Sequence, residues 1–187
     1  MQNPDFDDIK ASIDGDGEAF RLLMQRYQAD IARLMWRFCR NRDTCERLVQ
    51  DVFVEAFLSL KSYKGKAPFV HWLRKIATRT GYRFWKQRDK EKQLVSFEDF
   101  DFIKDEQNDD IEPEKAGELM YSLLGRLDAA DRTVMTLMYL EEYSIEQIAE
   151  QTGWTKAAVK MRAMRSRKKL RQIAEKEKIW EKLGWIE

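Results

Sequence analysis

The 187 residues are 43% hydrophobic and 36% charged with a formal net charge of +1, a composition that excludes disorder throughout and suits one globular domain or two small ones. No stretch approaches the roughly 18 consecutive apolar residues of a membrane span, and Met1-Gln2-Asn3-Pro4-Asp5 lacks the basic start of a secretory signal, so a cytoplasmic protein is expected. The balance hides a segregation: residues 1–93 carry 19 Lys+Arg against 13 Asp+Glu, residues 94–113 carry 1 against 8, and residues 114–187 carry 14 against 12. Two cationic blocks flank an anionic connector.

In the first block, Gly15-Asp16-Gly17-Glu18 reads as a turn into a long amphipathic helix, on which Phe20, Leu23, Met24, Tyr27, Ile31, Leu34, Met35 and Phe38 recur at helical spacing. Asn41-Arg42-Asp43-Thr44 breaks it. A second stripe, Leu48, Val49, Val52, Phe53, Ala56, Phe57 and Leu60, then predicts an antiparallel neighbour. Cys39 and Cys45, six apart on helical sequence, should lie on nearly opposite faces; with a single histidine, His71, they make no zinc set and read as reduced structural thiols. Gly65 and Pro68 mark a loop over 61–68. A third stripe follows, Phe69, Trp72, Leu73, Ile76 and Ala77, continuing through Tyr82, Phe84 and Trp85. Residues 61–88 hold nine basic side chains and no acid, interleaved with Tyr63, Phe69, Trp72, Tyr82, Phe84 and Trp85. Counter-charge for phosphates beside planar faces for unstacked bases is what a single-stranded nucleic-acid site needs, although Phe69, Trp85 and Phe84 read as core.

From Val95 to Pro113 low apolar content and dense negative charge give a linker and a domain boundary, with Phe97, Phe100, Phe102 and Ile103 available for docking. Beyond it, Leu119, Met120, Leu123, Leu124 and Leu127 form one stripe, and Asp128 with Asp131 opens a helix carrying Val134, Leu137, Met138 and Leu140. Ser144 with Gln147 is a capping box, Thr152-Gly153-Trp154 a helix stop, and Thr155 a cap for the next helix. On that helix Val159, Ala163, Ser166 and Leu170 form the packing stripe, while Lys156, Lys160, Arg162, Arg165, Arg167, Lys168, Lys169 and Arg171 supply eight cations and no anion. Two helices joined by a glycine turn, the second basic, are the helix-turn-helix arrangement that reads duplex DNA. Residues 172–187 continue helically through Ile173, Ile179, Trp180 and Leu183, and Trp180 and Trp185 either pack back or meet a partner. The fold class is all-α, two small helical domains on an acidic tether.

The chain resembles the extracytoplasmic-function sigma factors of bacterial RNA polymerase over nearly its whole length. Gly15-Asp16-Gly17-Glu18-Ala19-Phe20 is similar to the family's G-D-x-x-A-F, Leu48-Val49-Gln50-Asp51-Val52-Phe53 to its L-V-Q-E-x-F, and Phe69 through Ala77 to F-x-x-W-L-x-x-I-A. Leu127 to Val134 is similar to L-P-x-x-x-R-x-V, and Val159-Lys160-Met161-Arg162 with Arg165 and Arg167 to V-K-S-R-x-x-R-A-R. The resemblance implies residues 1–93 as a region 2-like domain, 94–113 as the linker and 114–187 as a region 4-like domain. It implies that Gln50 and Asp51 grip core polymerase, and that Lys61, Tyr63, Lys64, Lys66, His71, Trp72, Arg74, Lys75 and Arg79 serve the minus-10 element, Trp72 as the wedge at the melted edge. It implies that the helix with Lys156, Lys160, Met161, Arg162, Arg165 and Arg167 reads the minus-35 element. His71 stands between facing DNA and filling the helix surface. Three positions depart from the family pattern: Arg47, Asp128 and Met161, where an acid, a Pro and a Ser or Thr are common. A thioether at 161 can touch a thymine methyl but makes only a weak hydrogen bond, which alters base preference.

The function so implied is a dissociable initiation subunit that binds core polymerase and promoter DNA, with an anti-sigma factor as a further partner, no cofactor and no covalent chemistry. The alternative is a dimeric helix-turn-helix regulator on a palindrome, in which the aromatic-basic loop has no task. An enzyme finds no support: one histidine, no glycine-rich phosphate loop, and Glu141-Glu142, adjacent on a helix, pointing apart.

Overall fold

The structure is a computed structural model that describes residues 5–94 and 113–179. Among the described residues there are eight α-helices, one 3-10 turn and no strand. They divide into two compact units, the first holding the described residues up to Trp85 together with Glu150–Gly153, the second holding the other described residues. The acidic stretch 95–112, with Phe97, Phe100, Phe102 and Ile103, and the tail residues Trp180, Leu183 and Trp185 lie outside the described residues.

The first unit contains a helix that the sequence pattern does not announce, α1 (Phe6–Ile13). It buries Ile9 and is tied to α2 (Gly17–Cys39) by ions as well. Arg26 bridges Asp5 and Asp8, and the Tyr27 hydroxyl donates to buried Asp5 at 2.6 Å. Asp16 caps α2 by accepting from the Glu18 and Ala19 amides, and Arg40, at φ 56°, ends it in the left-handed conformation. Asn41 caps α3 (Arg42–Ser59), its side chain accepting from the Thr44 amide at 3.0 Å. The break is therefore at Arg40 and Asn41, with Arg42, Asp43 and Thr44 already helical. Cys39 closes α2 and Cys45 belongs to α3, so they do not share a helix. Burial and the neighbouring Cys39 push the Cys45 thiol up to about 12, which keeps it neutral.

Leu23, Ile31, Leu34, Met35 and Phe38 of α2 meet Val52, Phe53 and Ala56 of α3 and Leu73 and Ala77 of α4 (Phe69–Leu94) in one core. Phe57, expected in that core, is half exposed and only edges against Phe20 at 4.9 Å. Gly81 brings α4 against α2: a Cβ there would overlap the Phe38 ring. The Trp85 indole closes the same seam by donating to the Phe38 carbonyl at 2.7 Å.

After the linker come four helices, α5 (Pro113–Leu124), α6 (Ala129–Tyr139), α7 (Ile145–Thr152) and α8 (Lys156–Lys176), which belong to the second unit apart from the end of α7. Asp128 caps α6 through the Ala130 and Asp131 amides. Ser144 and Gln147 form the reciprocal capping box, at 2.8 and 3.2 Å, and Thr155 caps α8 at 3.1 Å. Gly153, at φ 81°, makes the turn between α7 and α8 in a conformation that other residues rarely adopt. Val134, Leu137, Ile148, Val159 and Ala163 form the core, and Leu124, Leu127 and Met135 a second cluster onto which Leu170 packs. Glu141 and Glu142 lie in the turn after α6, Glu142 at φ 55°, and not on a helix. Helix α8 stops at Lys176, where Lys178 takes φ 52°, so the expected continuous tail helix is interrupted before Ile179.

Candidate nucleic-acid interface

The loop between α3 and α4 starts with a 3-10 turn, Leu60–Ser62, pinned by buried Leu60. The Tyr63 hydroxyl donates to the Ala67 carbonyl at 2.6 Å and draws the loop closed around Gly65, at φ 67°. The Tyr63 ring lies 5.5 Å from both Phe69 and Trp72, and Phe69 and Trp72 are 5.4 Å apart. Phe69 is 1% exposed and further held by Tyr27 at 5.6 Å. The rings thus divide into an anchor and a platform: Phe69 is core, as Trp85 is, while Tyr63 and Trp72 are half-buried and keep an open side. Phe84 is half-buried rather than core.

Lys61, Lys64, Lys66 and His71 are exposed around this platform. Along α4, His71, Lys75 and Arg79 follow at four-residue intervals on one face. Arg74 is half-buried beside Asp30, at 3.9 Å. The structure therefore gathers Lys61, Tyr63, Lys64, Lys66, His71 and Trp72 about one loop and strings Arg74, Lys75 and Arg79 along the helix behind it.

On α8 the six sequence-selected residues separate by what they touch. Arg162 donates to Asp131 at 2.8 Å and its guanidinium lies over Trp154 at 5.1 Å, so it fastens α8 to α6 and to the turn before α8. Arg167 donates to the Tyr139 hydroxyl at 2.7 Å and covers that ring at 5.7 Å. Both are struts as well as charges. Lys156 reaches Glu146 at 3.1 Å, and that hydrogen bond holds the Glu146 carboxyl below its ordinary range. Both partners are about 60% exposed, so the pair is weak and a phosphate can replace it. Lys160, Met161 and Arg165 are exposed.

Gln50 and Asp51 are exposed on α3. Sequence reasoning missed their neighbours: Val54 and Leu58, 58% and 77% exposed, continue the same helical line. The available signal was two apolar residues four apart, off the core stripe, the first of them three and four residues beyond Asp51 and Gln50.

No helix among the described residues is long and apolar enough to cross a membrane. Residues 23–91 match the family model for sigma-70 region 2, and residues 117–170 that for sigma-70, region 4. The RNA polymerase sigma-H factor of Pseudomonas aeruginosa is 30% identical over 163 residues, 82% of this chain and 84% of that one. The ECF RNA polymerase sigma-E factors of Haemophilus influenzae and Escherichia coli K12 are 28% and 27% identical, also over 82% of this chain and over 86% and 85% of theirs. Two solved structures share the fold. CnrH in complex with the cytosolic domain of CnrY has a TM-score of 0.56 at 24% identity, over 90% of this chain and 95% of that one. The sigma factor RpoE in complex with the anti-sigma factor NepR from Bartonella quintana has 0.57 at 21%, over 83% and 96%. With a platform of rings and lysines in the unit that matches region 2, and a capped basic helix in the unit that matches region 4, the chain belongs to the extracytoplasmic-function sigma factors, the non-enzymatic initiation subunits of bacterial RNA polymerase.

Proposed function

We propose that residues 1–93 grip core polymerase and open the minus-10 element, that 94–113 tether, and that 114–187 read the minus-35 element. The Tyr63, Phe69 and Trp72 cluster carries the reading: a half-buried indole on a buried phenylalanine, ringed by exposed lysines, suits a flipped base and its phosphates and has no use in a dimeric duplex binder. Lys61, Lys64, Lys66, Arg74, Lys75 and Arg79 neutralise the strand, and His71 shares the helix face of Lys75 and Arg79. At the other end Lys156, Lys160 and Arg165 meet phosphates and base edges. Arg162 and Arg167 hold the helix at its angle while adding to its field.

Polymerase binding is assigned to Gln50 and Asp51 together with Val54 and Leu58, a polar pair leading into an exposed apolar ridge. Leu58→Glu is expected to weaken core binding by about thirtyfold, corresponding to a hot-spot loss of about 2 kcal/mol, with unchanged helicity. Charge reversal at Asp51 should act in the same direction. Unaltered affinity of the Leu58 variant in a core-binding titration removes the ridge from the interface. The protein works in the cytoplasm, where its polymerase is. An anti-sigma partner holding it inactive is part of the proposal, supported by the partner-bound state of the two similar solved structures.

Run-off transcription on pooled genomic fragments tests the whole reading. Discrete transcripts are expected only with both this chain and core polymerase, with weak DNA binding by the chain alone. Tight, palindrome-selective binding by the chain alone, without transcripts, would establish the dimeric regulator instead.

A further inference from the structure

Helix α8 carries an apolar strip where a solvated helix would carry charge. Met161 and Met164 are 51% and 57% exposed, and Ala157 is exposed one turn before them. At about 100° per residue, Ala157, Met161 and Met164 fall within roughly 60° of one another and opposite the buried line of Val159, Ala163 and Ser166. They form the outermost line of the helix. Lys160 lies on one flank of the strip and Arg165 on the other, both exposed, and Lys168 continues the line after Met164. An apolar centre with cations on both sides matches the section of a major groove, base edges at the floor and phosphates along both walls.

We propose that Ala157, Met161 and Met164 read thymine methyl groups, so that the upstream promoter element of this sigma factor bears thymines at adjacent or next-adjacent base pairs. This rests on the reading of α8 as the minus-35 helix. Met offers no donor and only a weak acceptor, so a cytosine or guanine edge placed against it loses its hydrogen bonds to water without replacement. The C5-methyl of thymine is the one apolar feature of the major groove. Met161 and Met164 are separated by about 4.5 Å of helix rise against about 3.4 Å per base pair, which sets the spacing of the two thymines at one or two steps. Arg162, the residue otherwise suited to guanine, is turned toward Asp131 and Trp154 and leaves the strip to the thioethers.

The test uses holoenzyme assembled from the full chain and core polymerase. Selection from duplexes randomised upstream of a fixed minus-10 element is expected to return an element with at least two thymines in three consecutive base pairs. Replacing each by uracil, which deletes only the methyl, should weaken binding roughly fourfold. With Met161→Ala combined with Met164→Ala, exposed positions whose truncation leaves the fold intact, the uracil penalty should shrink to what Ala157 and the shortened side chains retain. An element without such thymines, or one whose uracil form binds as tightly, overturns the methyl readout while leaving α8 as the reader. Selection of no upstream element overturns the reading of α8 and the methyl readout with it.

Discussion

Gly81→Val is expected to unfold the first unit of this sigma factor or bring it close to unfolding. Glycine within a helix is about 1 kcal/mol less favourable than alanine, so an unexplained glycine near the middle of α4 invites replacement. The seam with α2 forbids it. A Cβ at 81 would overlap the Phe38 ring, which is 2% exposed and lies 4.4 Å from the Trp85 ring. That indole is fixed in turn by its bond to the Phe38 carbonyl, so neither ring has room to retreat. Overpacking at such a site costs about 3 kcal/mol, and a branched side chain stands at the upper end. The melting transition of the first unit should fall by about 12–24 °C. Gly81→Ala gains the helical preference and meets the same overlap, so it too should destabilise, by less. Selection of minus-10 sequence should fail in the valine variant while binding of upstream duplex by α8 persists. A melting curve unchanged by Gly81→Val would show that α2 and α4 do not meet there.

That glycine marks where the sequence stops being readable. Asp128, Thr155 and the Ser144 and Gln147 pair were legible because a cap is a bond between residues two or three apart, written in the chain itself. Phe69 and Trp85 were legible as core from helical spacing. The bond of Arg162 to Asp131 joins residues 31 apart and depends on α6 and α8 packing together, so a count of basic residues on α8 could not separate a strut from a free charge. Helix α1 escaped because Phe6, Ile9 and Ile13 span only two turns, too short a stripe to stand out, and an ion cluster adds to the hold of buried Ile9. Phe57 fell on the wrong side because a stripe two residues wide does not fix where a helix turns outward. The stop after Lys176 carries no glycine or proline to announce it. The candidate surfaces followed the same division. The loop over 61–68 and the capped basic helix were visible as local composition, whereas the ridge of Val54 and Leu58 showed only once the core had claimed the other face of α3.

Trp72→Ala should reduce open-complex formation on duplex promoters by about 10- to 100-fold while leaving core polymerase binding intact. Taking a base out of the stack costs a few kcal/mol, and a stacking platform returns about 1–3 kcal/mol per base. Trp72 is suited to return it because its orientation is set before DNA arrives: Phe69 lies 5.4 Å away, Tyr63 5.5 Å, and the Tyr63 hydroxyl locks the loop onto Ala67. Its neighbour gives the control. Phe69→Ala empties a buried site and should lose about 3–5 kcal/mol of stability, taking every activity of the unit with it. Trp72 is half-buried, so its truncation should spare the fold. A template already unpaired across the minus-10 element separates melting from capture. If Trp72 acts as the wedge, the alanine variant regains most of its activity there, and Trp72→Phe retains part of it on duplex DNA. Wild-type transcription by Trp72→Ala from a fully paired promoter would mean that the strand is opened elsewhere on this surface and that the indole only caps Phe69.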